Sequence, residues 1–97
     1  MNRILEFGPH ANGIHDGVSC NYVSKVGNEF WISCIPTNSA ADKRLGIAYE
    51  MAVFQIERGF MDIKKTFYYK TKPTAEQMSK DALRVCDGIT EYFEPNP

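Results

Sequence analysis

Four side chains near the start of the chain are of types that do chemistry. His10 and His15 flank Asn12-Gly13, Asp16 follows directly, and Cys20 lies four residues further on. Two imidazoles and a carboxylate are zinc-ligand types, yet a zinc site needs three or four ligands converging in a closed geometry. Here they share a stretch rich in turn residues. Cys20 with a histidine would be a nucleophile and its base, provided the thiol could ionise. The strand reading below turns Cys20 toward the core, where a thiolate is costly. No catalytic residue, metal ligand or cofactor is therefore assigned.

A second constellation is Lys64-Lys-Thr-Phe-Tyr-Tyr-Lys-Thr-Lys72, where cations alternate with aromatics. From Arg58 to Lys72 the segment is net +4, with Asp62 as its one acid. Aromatics that stack bases beside cations that follow phosphates are what single-stranded nucleic-acid binding uses. Lysines also guard an edge strand against pairing with another chain. The opposite charge lies in Glu76, Asp81, Asp87, Glu91 and Glu94, set against Lys80 and Arg84. Trp31, the one tryptophan, belongs to a residue type enriched at interaction hot spots. A folded-over N-terminal segment would hide it instead.

Positioning these residues falls to a small set of elements. Arg3–Phe7 reads as a short edge strand, and 8–17 as a turn-rich loop in which Asn12-Gly13 suits a tight type I′ turn. Residues 18–26 and 29–36 form the strongest hairpin signal. A three-residue loop, Val26-Gly27-Asn28, pairs Lys25 with Glu29 and Tyr22 with Ile32. One face then carries Val18, Cys20, Tyr22, Phe30, Ile32 and Cys34, with Cys20 opposite Cys34. The other face carries Trp31 with Ser33 and Ile35.

The stretch 39–58 reads as a central helix. Ser39 is its N-cap, Asp42 lies in its first turn and Gly59 is its stop. Leu45, Ala48, Tyr49, Ala52 and Ile56 form one apolar stripe, while Ile47 and Phe54 lie nearly opposite and suggest a second contact surface. A further strand follows over 63–71, with Ile63, Lys65, Phe67 and Tyr69 on one side. Thr74 and Gln77 make a capping box for a last helix in which Met78, Ala82, Val85, Cys86, Ile89 and Phe93 recur at helical spacing. Residues 94–97 form a frayed tail.

The expected fold is α+β, a single domain over 1–97. Its elements run β-β-β-α-β-α, with an antiparallel sheet and both helices packed on one face. That order resembles the first part of the ribonuclease H fold, whose two-metal chemistry draws on carboxylates from strands and a helix. The resemblance would place Glu6 and Glu50, but 63–72 supplies no acid, so the activity is not carried over.

A net charge of −1 gives the whole molecule no bias toward polyanions. Three cysteines without metal-like spacing fit a reducing cytoplasm better than a disulfide framework. No apolar run is long enough to span a bilayer. The leading expectation is a small non-catalytic protein that binds a protein or ribonucleoprotein partner, as a regulator or inhibitor of a nucleic-acid-handling complex. It would be a monomer or weak homodimer, with Trp31, Lys64, Tyr68, Lys70, Lys72, Ile47 and Phe54 as contact residues. The alternative is direct RNA or single-stranded DNA binding through 64–72. A small hydrolase or metal-dependent enzyme using His10, His15 or Cys20 comes third.

Overall fold

The computed structural model describes residues 4–88. Five strands and two helices follow one another as β1 (Gly8–Pro9), β2 (Val18–Val23), β3 (Glu29–Pro36), α1 (Ala40–Arg44), β4 (Tyr49–Glu57), β5 (Phe60–Tyr69) and α2 (Ala75–Asp87). The strands form one antiparallel sheet in the order β1-β2-β3-β4-β5, so each strand pairs with its chain neighbours. The class is α+β, as expected, with one strand more than the sequence reading allowed.

That strand replaces the central helix. Ser39 does cap a helix, its hydroxyl accepting from the Asp42 amide, but α1 ends at Arg44 and buries no residue. Gly46, at φ +83°, turns the chain out of the helix, and β4 begins at Tyr49. Tyr49, Val53, Phe54 and Ile56 are β-branched or aromatic, the types that fit a pleated surface. Met51 and Val53 are wholly buried on one face, while Glu50, Ala52, Phe54 and Ile56 alternate onto the other. Gly59 does take a left-handed conformation. Together with Arg58 it forms the two-residue turn into β5, at φ +53° and +81°, the signature of a type I′ hairpin.

The β2–β3 hairpin also departs from its expected register. Tyr22 pairs with Phe30 and Cys20 with Ile32, so Cys34 lies opposite Val18, away from Cys20. The Ser24 and Asn28 backbones close a five-residue loop across 2.8 Å, and the Ser24 hydroxyl accepts from the Asn28 amide. A two-residue slip preserves which side chains share a face, so Phe30, Ile32 and Cys34 are buried as expected.

Helix α2 covers that face. Thr74 caps it by accepting from the Gln77 amide, and Met78, Ser79, Ala82, Leu83 and Cys86 are buried beneath it. The core comprises Phe30, Ile32, Cys34, Met51, Val53 and Tyr69 from the sheet, the apolar residues of α2, and Leu5. Leu5 lies outside any strand, its amide donating to the Ser79 hydroxyl over 2.8 Å. The edge strand expected over Arg3–Phe7 is therefore not formed by its described residues; pairing starts at Gly8. Arg3, Ile89, Glu91, Phe93, Glu94 and the 94–97 tail lie outside the described residues.

Two acids of the C-terminal segment, Asp81 and Asp87, are half-buried and hydrogen-bonded to tyrosines of the sheet. Asp81 accepts from the Tyr69 hydroxyl at 2.6 Å. Asp87 accepts from the Tyr22 hydroxyl at 2.6 Å and from the Lys25 amide at 3.1 Å, tying the end of α2 to the hairpin loop.

Candidate functional site

With α2 on one side, the sheet presents its other face. Trp31, Ser33 and Ile35 come from β3, Glu50, Ala52, Phe54 and Ile56 from β4, and Met61, Ile63, Thr66 and Tyr68 from β5. Residue alternation puts them there, with one irregularity. Between Val53 and Phe54 the β4–β5 register shifts, Val53 facing Lys65 and Phe54 facing Ile63, so Lys64 is the extra residue of a β-bulge. The bulge moves Ile63 to the open face, where the simple alternation in the sequence had turned it toward the core. It also leaves no lysine of β5 opposite an open-face residue of β4. Lys65 pairs on the helix side and stands 5.8 Å from the Phe67 ring.

An aromatic row crosses the open face. His10 meets Trp31 edge to face, and Trp31 meets Phe54 at a tilt, both with ring centroids 5.5 Å apart. Beside the row lies an open cleft of about 330 Å³, lined by His10, Trp31, Ser33, Glu50, Phe54 and Ile63, among others. Ile63 is 57% exposed, Tyr68 55% and Met61 48%, so the apolar surface continues along β5.

The His10 ring is held from both sides. Its Nδ1 accepts from the Asn12 amide at 3.1 Å, which places the proton on Nε2, 2.7 Å from the Ser33 hydroxyl oxygen. Ser33 thus accepts from the ring. A general base would need the opposite tautomer, with a lone pair on Nε2 aimed at the hydroxyl. In this arrangement the pair braces the 10–17 loop against the sheet. Gly17 permits the approach, since a Cβ there would sit 3.3 Å from both the His10 Cβ and the Cys34 carbonyl oxygen. The loop contains two successive turns, closed by Gly13 to His10 and Gly17 to Ile14. Gly13 has a positive φ and Asn12 does not, so the expected type I′ turn is absent.

The other residues with chemistry in their side chains are dispersed. Asp16, at φ +60°, turns away from His10 to accept from Tyr49 and from Lys72. The Lys72 and Tyr49 hydrogen bonds, in that order, hold its carboxyl below the usual carboxylate range. Cys20, Cys34 and Cys86 are all reduced. Burial pushes the first two thiols up to about 11 and Cys86 up to about 12, so each packs as a small neutral hydrophobe. Among the described residues, no three His, Cys, Asp or Glu side chains are grouped to hold a metal ion. Glu6 precedes the first strand and Glu50 lies on the open sheet face, an arrangement unlike the carboxylate placement that the ribonuclease H resemblance implies.

Of the expected contact residues, Trp31, Phe54 and Tyr68 share the open face. Lys64 sits in the bulge, Lys70 is exposed just past β5, and Lys72 is engaged with Asp16 at 2.6 Å. Ile47 is half-buried in the connection before β4. Glu50, Met61 and Ile63 escaped the sequence reading, because a helix over 39–58 and an unbroken strand over 63–71 put them elsewhere. No protein family, curated protein or solved structure matches this chain.

Proposed function

We propose that this is a binding protein that uses the open face of its sheet to dock on a protein partner. The observation that carries this reading is the continuity of the apolar surface from Trp31 through Phe54 to the exposed Ile63 and Met61. Contiguous apolar surface on a small domain marks contact sites, and the tryptophan at its β3 end is of a residue type enriched at interaction hot spots. The groups that would compete with such a role are otherwise occupied: His10 braces a loop, Asp16 is bonded to Lys72 and Tyr49, and the thiols are held neutral.

Trp31, Phe54 and Tyr68 on one face also favour a second reading, stacking of single-stranded RNA or DNA. Electrostatics weigh against it. The charged residues that alternation places on this face are Glu29 and Glu50, which repel phosphates, while the lysines gather in the bulge and beyond the strand.

Affinity capture from the cell of origin, with and without nuclease, separates the two. The protein reading expects a partner that is retained after nuclease and lost in a Phe54→Ser, Ile63→Ser double variant that keeps the native circular dichroism. Release by nuclease, together with a gel shift at low salt that falls steeply as salt rises, supports nucleic acid.

A further inference from the structure

Glu50 is the feature of the open face that the docking reading leaves unused. It lines the cleft beside Ile35, Ala52 and Thr66, half-buried among apolar and neutral groups. Among the described residues Lys72 pairs with Asp16, and Glu50 has no cation within ion-pair distance. A half-buried glutamate without a counter-charge weakens an otherwise apolar contact surface unless the partner supplies the cation.

We infer that the partner docks an extended segment carrying an arginine, whose guanidinium meets Glu50 while a neighbouring apolar side chain seats on Trp31 and Phe54. The inference rests on the docking reading above and names the chemistry of the occupant. Glu50 and Phe54 are four residues apart on one strand, a span of about 13 Å at the usual rise of a β-strand. An extended partner chain covers about half of that between alternate residues on one side, and an arginine side chain reaches across the remainder. The expected segment is therefore apolar-x-arginine. Arginine suits the cleft better than lysine. Its planar guanidinium can bond a carboxylate through two parallel N–H groups, and its weakly hydrated plane can lie against the ring of Tyr68, the residue paired with Glu50. Lys65 pairs on the helix side, Lys72 is engaged with Asp16, and no described lysine forms an ion pair with Glu50.

The test is selection of a displayed library of random twelve-residue peptides against the intact, folded chain, with affinities of the recovered peptides for the native chain and its variants measured by isothermal titration calorimetry. The expected result is enrichment of arginine two positions from an apolar residue. Glu50→Gln should weaken those peptides by about ten- to hundredfold, the range for losing a hydrogen bond to a charged group. Glu50→Lys should turn the selection toward acidic peptides. Binders that depend on Trp31 but show no enrichment of basic residues, and that bind Glu50→Gln unchanged, would overturn the arginine assignment while leaving the docking face standing. Binders indifferent to both Trp31→Ala and Phe54→Ser would remove the docking face and the arginine assignment together.

Discussion

His10 Nε2 lies 2.7 Å from the Ser33 hydroxyl, and the Asn12 amide occupies the other ring nitrogen. A serine beside a histidine in a cleft suggests a nucleophile, but the proton runs from ring to hydroxyl. We predict that a fluorophosphonate probe will not label Ser33 at neutral pH. Labelling that disappears in Ser33→Ala would show that the ring adopts the other tautomer and would reopen the catalytic reading.

The same contact has a stability consequence. His10 and Ser33 are both buried, so His10→Ala leaves a buried hydroxyl without its donor and removes a ring from Trp31. The expected loss is about 1–3 kcal/mol, read from the denaturant midpoint at an unchanged slope. A change within about 0.5 kcal/mol, the range usual for surface substitutions, would mean that the 10–17 loop is not braced as described.

The thiols give a pH test whose sign follows from burial. Cys20 and Cys34 are raised to about 11 and Cys86 to about 12. In the unfolded chain a thiol ionises near its ordinary value of about 8.5. Above that pH the unfolded state sheds protons that the folded state keeps, so stability falls as pH rises. Tyr69, raised by burial and then by its bond to Asp81, acts in the same direction. The denaturation midpoint should hold to about pH 8.5 and decline beyond it, and iodoacetamide should modify the native protein far more slowly than the unfolded one. Rapid alkylation of native Cys34 would contradict this packing.

Asp16 works at the acid end. Its folded value is lowered, chiefly by Lys72 and then by Tyr49, so its contribution is present above the ordinary carboxylate range and is lost as pH falls through the lowered value. The stability difference between the native chain and Asp16→Asn should be largest near neutrality and shrink on acidification. A difference that grows on acidification would contradict the assignment.

At the β4–β5 turn, Arg58 holds a left-handed conformation that costs a side chain with a Cβ about 1–2 kcal/mol, and asparagine tolerates it better. Arg58→Asn should therefore stabilise the protein by about 0.5–1 kcal/mol. Destabilisation of that size would argue against a type I′ turn at Arg58-Gly59 and favour the helix that the sequence suggests.

What could be read from the sequence depended on whether a pattern fitted one period or two. Strands β2 and β3 alternate cleanly, so their faces were legible even though the loop length shifted the register by two residues. Helix α2 announced itself through Thr74, Gln77 and the spacing of Met78, Ala82 and Cys86. The run 45–58 is apolar on both sides, and such a run fits a stripe of period 3.6 as well as a strand covered on both faces. Gly46 and the strand-forming side chains of β4 decide the matter in three dimensions. Trp31 and Phe54 were each singled out, but their contact was hidden while Phe54 was placed on a helix. The bulge at Lys64 has no signature in the residue pattern, so simple alternation puts Ile63 on the side of Phe67 and Tyr69 and the open face loses its rim.

The central claim is that the partner rests on the sheet face opposite α2. Cross-saturation from an unlabelled partner into methyl groups of this chain tests it directly. Attenuation should concentrate at Ile35, Ile56, Met61 and Ile63 and spare Val26, Leu45 and Val85. Attenuation of Val26, Leu45 or Val85, with Ile56 and Ile63 untouched, would place the contact elsewhere and contradict the account.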